Sequence, residues 1–492
     1  MSQPLDVMVI GGGINGTGIA LDAAGRGLDV ALCEMNDLGA ATSSASSKLI
    51  HGGLRYLEQY EFRLVREALA ERETLLRTAP HIIWPLRFRL PHQPHLRPAW
   101  MIRLGLWLYD HLARRDRLPP SRRVFLNGHG PLQPKLKLAF EYSDAWVDDA
   151  RLVVLCAMAA RERGAHIWPR TRCIQAQRAH GLWQVTLEDA SGSRRTVLAR
   201  VLVNAAGPWA SSLFDEVLHT APPAHLRLVK GSHIVVPRLY DSDDAYILQH
   251  RDGRIVFVLP YEQDYSLIGT TDVDYTGDPA SVAPAYDEIT YLCDVVNEHF
   301  RTQISPQQVV HQFAGVRPLM ANGDNQAQKA SRDYKLLLSA DGNEAPLLSV
   351  FGGKITTFRA LAEDAINQLA AFLPGTGGPW TSQLVLPGGD FNHHAGLEAK
   401  LIQEYAWLPL PLARRYVRSY GILCRQFLQG CQGLEDLGAH LGAGLYGAEV
   451  DYLMQQEWAR TADDILWRRT KLGLAFNDAR QQRLQEYLRS RP

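Results

Sequence analysis

The run LDVMVIGGGING, Leu5 to Gly16, decides how the rest of the chain is read. LDVMVI is a short, mostly apolar segment of the length and composition of a strand. Gly11, Gly13 and Gly16 then follow in the order G-x-G-x-x-G. A small-residue helix, INGTGIALDAAGRG, comes next, and after it a second strand, DVALCE, closing on Glu34. Strand, glycine turn, helix and strand make the start of a βαβ unit. Each glycine has its own task there. Gly11 permits the tight turn, Gly13 lets backbone approach a pyrophosphate, and Gly16 lets the helix pack closely on the strand. The helix N-terminus faces the phosphates, and Glu34, about 20 residues on, can accept from ribose hydroxyls. The arrangement is built for a dinucleotide.

At 492 residues the chain is too long for one ordinary core, and two or three domains are expected. An apolar fraction of 46% and a charged fraction of 21% are those of a folded globular protein. The formal net charge of zero argues against a nucleic-acid partner. Within that neutral chain, Arg87 to Arg123 holds nine arginines against two aspartates, a local cationic block. Six cysteines without a C-x-x-C pair suit a reduced, cytosolic protein lacking a structural zinc. No signal peptide, membrane-spanning run, P-loop or metal-ligand spacing is visible, and His393-His394 reads as a polar loop.

Strand-like runs return at 166–173, 182–187, 197–204, 228–236, 254–260 and 346–351. Their spacing suggests a nucleotide-binding sheet interrupted by a second, largely antiparallel one. Glycines and prolines around 375–379 and 387–389 read as a linker, with a mostly helical region beyond. Between Thr42 and Gly53, TSSASSKLIHGG offers hydroxyls, a lysine and two glycines soon after Glu34, which suits an extended cofactor such as FAD. Taken alone, it reads more readily as a polar loop with an N-cap serine. The segment 96–118 places Met101, Leu104, Leu108 and Leu112 near one helical face. Trp100 and Trp107 stand one heptad apart, and Arg114, Arg115 and Arg117 follow. It reads either as an interfacial helix or as a core helix facing a second domain.

SSASSKLIHGGLRYLE (43–58), NAAGPWA (204–210), KGSHIVVP (230–237), IGTTDVDY (268–275), GVRPL (315–319) and SVFGGKITTFR (349–359), in this order, resemble the FAD-dependent glycerol-3-phosphate dehydrogenases of aerobic bacteria. The likeness runs over essentially the whole chain. It implies an α/β fold: a Rossmann-like FAD-binding domain interleaved with a mainly antiparallel substrate cap, plus a helical C-terminal domain. The expected body is 1–387, with FAD segments about 1–80, 150–215 and 345–375 and cap segments about 81–149 and 216–344; 388–492 is the helical domain.

The resemblance also implies oxidation of sn-glycerol 3-phosphate to dihydroxyacetone phosphate by hydride transfer to flavin. Electrons would go on to ubiquinone or menaquinone at the inner face of the cytoplasmic membrane, with the enzyme attached peripherally and a homodimer possible. A related oxidase passing electrons to dioxygen is the alternative, but such oxidases tend to be longer. Arg55, Tyr56, Arg317, Arg332 and Lys354 are the expected substrate clamp, since a planar guanidinium suits a phosphate dianion. His233, Arg317 and Lys354 are the expected catalytic set. His233 is the first choice of base, with His51 and Lys354 as alternatives. The FAD contacts implied are Gly11, Gly13, Asn15, Gly16, Glu34, Thr42, Ser43, Ser44, Ser47, Lys48, Leu49, His51, Gly52, Cys173, Ala206, Gly207, Trp209, Gly352, Gly353, Lys354, Ile355 and Thr356.

Overall fold

The computed structural model describes residues 3–93, 96–320, 333–340, 342 and 344–491, with Arg55, Glu58 and Gln59 described in their backbone alone. The opening βαβ is present: strand Leu5–Ile10, helix Ile14–Gly25 and strand Val30–Glu34. Leu5–Ile10 lies parallel between Val30–Glu34 on one side and Arg194–Asn204 on the other. Parallel strands His166–Pro169 and Leu347–Phe351 extend the sheet outward. Val7, Val9, Val30, Leu32, Val201 and Val203 are buried in one core and Met8, Ala31, Cys33 and Leu202 in another, as expected of parallel strands covered on both faces. Helices Ile14–Gly25, Asp149–Glu162 and Phe358–Leu369 cover one side, contributing Ile19, Val153, Cys156, Leu361 and Ile366 to the same core.

The second sheet has ten strands among the described residues and is antiparallel apart from one parallel pairing, Ala245–Gln249 with Ile83–Pro91. Its long strands are Leu138–Val147, Leu226–Pro237 and His311–Met320. His311–Met320 and Leu226–Pro237 pair over ten registers, setting Val229 opposite Arg317, Gly231 opposite Gly315 and His233 opposite Phe313. The polypeptide crosses between the two sheets directly after the nucleotide loop, because Leu49–Ile50 pairs with Trp146 and Ala145 of the second sheet.

From His394 onward the chain is mostly helical, around its own core of Leu401, Tyr416, Tyr420, Leu453 and Ile465. Charge ties this region to the body. Arg151 of helix Asp149–Glu162 pairs with Glu457, both fully buried. Asp37 in the nucleotide loop takes Arg468 Nε at 2.6 Å and Arg469 Nη1 at 2.7 Å, and Lys471 Nζ reaches Asp148 at 2.9 Å. A buried charge left without its partner is costly, on the order of 3–5 kcal/mol. Arg151→Met should therefore lower the thermal midpoint sharply, while the double variant Arg151→Met/Glu457→Leu should regain most of the loss. Equal stability of Arg151→Met and the parent in a thermal melt would contradict this.

Candidate active site

At the first turn, Gly11 has φ +111, and a Cβ there would lie 2.5 Å from the Ala205 carbonyl oxygen. A Cβ on Gly16 would lie 1.9 Å from the Gly11 carbonyl oxygen, so helix and turn touch backbone to backbone. Gly13 caps the helix without a side-chain bond, and Ile14 N–H donates to Ser43 Oγ at 3.0 Å. The helix therefore points its N-terminal end at the Thr42–Ser44 turn. Glu34 accepts from Gly12 N–H at 2.7 Å and from Asn36 N–H at 2.8 Å, and burial pushes its carboxyl pKa up. A carboxylate has about four lone-pair sites, so acceptor capacity remains for ribose hydroxyls.

A cleft of about 920 Å³, open mouth included, is lined by Gly11, Gly13, Glu34, Ser43, Cys173 and Trp209 among others. Thr42, Ala206 and Gly207 also border it. Cys173 is buried there, its thiol pushed up to about 12 by burial, which makes it wall rather than nucleophile. Ser44 and Lys48 line an adjoining cavity that shares Thr42 and Trp209.

Beyond the cleft the loop is nailed in place. Ser46 Oγ donates to Asp149 at 2.7 Å and Lys48 Nζ donates to the other Asp149 oxygen at 2.6 Å, so one buried carboxylate ties down both ends of the segment. Thr42 Oγ1 donates to the Val316 carbonyl at 2.7 Å, and a Cβ on Gly315 would be 2.9 Å from that of Ala45. The nucleotide loop thus lies directly on strand His311–Met320. On the opposite flank Asn15 Nδ2 donates to the Gly352 carbonyl at 3.2 Å. Asn15 Oδ1 is buried without a hydrogen-bond partner among the described residues, an acceptor left for a ligand. His51 N–H and Thr356 Oγ1 lie 3.3 Å apart, joining the loop to the Ile355–Thr357 turn. The Leu49 side chain packs into the core of the second sheet, and Gly16 is in backbone contact with the turn itself.

Cationic and titratable groups gather on the second-sheet side. Arg317 forms an ion pair with Asp272 and donates to Thr270 Oγ1 at 2.8 Å. A Cβ on Gly231 would come within 2.4 Å of its guanidinium, which explains the glycine in KGSH. His233 is fully buried, stacks on Phe313 at 4.9 Å and keeps Nε2 2.9 Å from Ser47 Oγ. Its Nδ1 has no hydrogen-bond partner among the described residues. Burial, then Arg317 and Lys48, hold its pKa well below the ordinary histidine value, so the ring is neutral and able to accept a proton. Lys354 Nζ sits 3.8 Å from the centre of the Tyr56 ring. Of the remaining clamp, Arg332 lies outside the described residues, and Arg55 is seen only as backbone in the turn Leu54–Gln59.

Asp149, Thr270, Asp272 and Phe313 complete the site and were not singled out from sequence. IGTTDVDY contained two of them, but their meeting with Arg317 depends on strand pairing some 45 residues apart.

Residues 6–359 match the family described as FAD dependent oxidoreductase, and 379–489 match the C-terminal domain of alpha-glycerophosphate oxidase. The chain is 56% identical over 100% of its length, and 96% of the relative's, to a glycerol-3-phosphate dehydrogenase of Pseudomonas aeruginosa. It is 49% identical, over 97% of both chains, to a D-erythritol 1-phosphate dehydrogenase of Brucella abortus. A crystal structure of the Bacillus halodurans glycerol-3-phosphate dehydrogenase complexed with FAD superposes with a TM-score of 0.74. The two chains are 25% identical, with 99% of this one and 94% of that one covered.

Two outcomes follow from the geometry. Gly16→Ala should yield folded protein without the yellow flavin band, and a variant retaining full flavin would contradict the packing. The His233 ring resonances should hold their neutral position as pH falls through about 6.5; a titration there would contradict the burial.

Proposed function

The chain belongs to the FAD-dependent glycerol-3-phosphate dehydrogenase family, and on that premise we propose that it oxidises sn-glycerol 3-phosphate to dihydroxyacetone phosphate and delivers the electrons to a membrane quinone. One observation supports the reading most: His233 meets Ser47 of the nucleotide loop, the strand that carries Arg317 receives Thr42 of the same loop at Val316, and Lys354 lies over Tyr56 in the turn that follows it. The Gly11–Gly16 turn, Glu34, Ser43, Asn15 and the Gly352–Thr356 turn are the groups that would hold FAD. When bound, FAD supplies the two-electron acceptor for the hydride leaving C2.

The chain's own residues do the rest. Arg317 holds the phosphate as a charge-assisted pair, exchanging part of its contact with Asp272 for the substrate. Lys354 sets a second positive charge over Tyr56, where it offsets alkoxide character as the hydroxyl proton leaves. His233 takes that proton. Its basicity is depressed first by burial and then by the two cations beside it; a phosphate dianion on Arg317 offsets one of those cations, so substrate binding itself raises the proton affinity of the ring. The stoichiometry closes: two electrons and two protons leave the secondary alcohol and reduce one quinone to its quinol.

The surface supports an acceptor held in a membrane. Helix Ala99–His111 turns Trp100, Leu104 and Trp107 to solvent at 66%, 56% and 49% exposure, with Met101 beside them. The outward face carries the two tryptophans, while Leu108 and Leu112 of the sequence-expected face are half-buried. Exposed Arg114, Arg117, Arg122 and Arg123 follow. An exposed apolar stripe beside arginines suits an anionic lipid surface and an enzyme that lies on the membrane. Among the described residues no helix is long and apolar enough to cross one.

Arg317→Ala should keep FAD and cut kcat/KM by about a hundredfold or more, as expected when a phosphate loses its cation; parent-like kinetics would remove Arg317 from the clamp. In turnover with glycerol 3-phosphate, a soluble quinone analogue should consume nearly all the electrons, whereas stoichiometric hydrogen peroxide would favour an oxidase. Trp100→Glu/Trp107→Glu should abolish sedimentation with anionic vesicles while sparing flavin reduction; retained binding would place the lipid surface elsewhere.

A further inference from the structure

The inner side of the Ala99–His111 helix carries a group the reaction scheme above does not use. Tyr109 is 2% exposed, and its hydroxyl donates to Asp144 Oδ1 at 2.7 Å. The same hydroxyl oxygen accepts from Gly52 N–H at 2.9 Å. Gly52 is the residue after His51 and lies four before Tyr56, so the hydroxyl grips the turn that carries both. A Cβ at Gly52 would stand 2.6 Å from the Tyr109 hydroxyl oxygen and 2.5 Å from Leu69 Cδ2, so the glycine and the hydroxyl are fitted to one another. Gly53, with φ +72, then turns the chain into Leu54–Gln59.

The grip is itself anchored. Asp144 sits in the middle of strand Leu138–Val147 and also accepts from Arg72 Nη1 at 2.7 Å. Arg72 donates to the Ser143 carbonyl at 2.8 Å and lies 3.3 Å from Glu73 Oε1. The other Glu73 oxygen accepts from Asp116 N–H at 3.3 Å and Arg117 N–H at 3.4 Å, in the basic turn after the helix. Burial, and the Asp144 charge after it, raise the Tyr109 pKa well above its ordinary value, which keeps the hydroxyl a donor toward Asp144. On the far side, Thr356 Oγ1 holds His51 N–H. Residues 51 and 52 are thus pinned between Thr356 and Tyr109.

We propose that Tyr109 is a positioning residue for the reaction: its hydroxyl, oriented by Asp144, fixes the Gly52 N–H and with it the His51–Tyr56 turn that borders the flavin. The inference deepens the function proposed above, because it assigns that turn a task at the cofactor. Tyr109 itself touches neither substrate nor FAD in this account.

Tyr109→Phe in the holoenzyme removes the hydroxyl and nothing else, leaving Gly52 N–H with a 3.4 Å approach to Asp144. The expected result is faster FAD release, by about tenfold, together with a shifted flavin midpoint potential. A fall in kcat of similar size should come with a smaller change in KM. Tyr240→Phe is the control, since that buried hydroxyl donates to the Val258 carbonyl in the second sheet, remote from the turn. A lower thermal midpoint shared by both variants, with parent-like FAD release, potential and kcat in Tyr109→Phe, would overturn the proposal. FAD release and potential, read with a chemical reductant, do not depend on the substrate. They therefore test the positioning role even if the parent proves to oxidise a different alcohol phosphate.

Discussion

One buried carboxylate governs the architecture around the cofactor. After Glu34 the chain must leave the parallel sheet, cross the place where a dinucleotide lies, and enter the second sheet at Leu49–Ile50. Nothing in that crossing is regular enough to hold itself. Asp149, fully buried at the start of a core helix, takes Ser46 N–H at 3.2 Å, Ser46 Oγ at 2.7 Å and Lys48 Nζ at 2.6 Å. The helix N-terminus favours a negative charge there, and Lys48 neutralises it locally. Lys48 itself has φ +57, a left-handed backbone that a non-glycine residue adopts only where its surroundings over-determine it. The hydroxyls of the loop are thereby aimed: Ser43 at the first helix, Ser47 at His233, Thr42 at strand His311–Met320.

The same loop is the seat of the C-terminal region. Asp37, three residues after Glu34, receives Arg468 and Arg469, and Asp148 receives Lys471 beside the Asp149 anchor. Buried ion pairs add little net stability over apolar packing, but they specify one arrangement, because every alternative strands a charge. The helical domain thus holds the cofactor loop from outside while Asp149 holds it from inside. Exposed helix, inner tyrosine and the turn after His51 form a second line of contact, from Trp107 through Tyr109 to Gly52, on the opposite flank.

How much of this was readable in advance depends on the range of the interaction. The Gly11–Gly16 turn and Glu34 were legible because their requirements are local: a positive φ, a missing Cβ, a carboxylate at a strand end. His233, Arg317 and Lys354 came from resemblance, since a single histidine or arginine carries no signature of burial. Asp149 and Tyr109 left no signal, and Asp272 stood in a quoted motif with nothing to mark its role. Their partners lie about 100, 57 and 45 residues away, and only the sheet registers bring them together. The 96–118 helix was legible as amphipathic, but its orientation was not. Periodicity fixes which residues share a face, whereas Tyr109 and Leu106 packing inward decides that the tryptophans face outward.

The central claim is that an arginine-bearing strand and a flavin loop meet to oxidise a phosphorylated alcohol. Its most direct test is the anaerobic absorbance spectrum of the holoenzyme before and after addition of glycerol 3-phosphate, with glycerol and D-erythritol 1-phosphate alongside. The account predicts prompt bleaching of the flavin band by glycerol 3-phosphate and none by glycerol. A flavin that stays oxidised with glycerol 3-phosphate would contradict it.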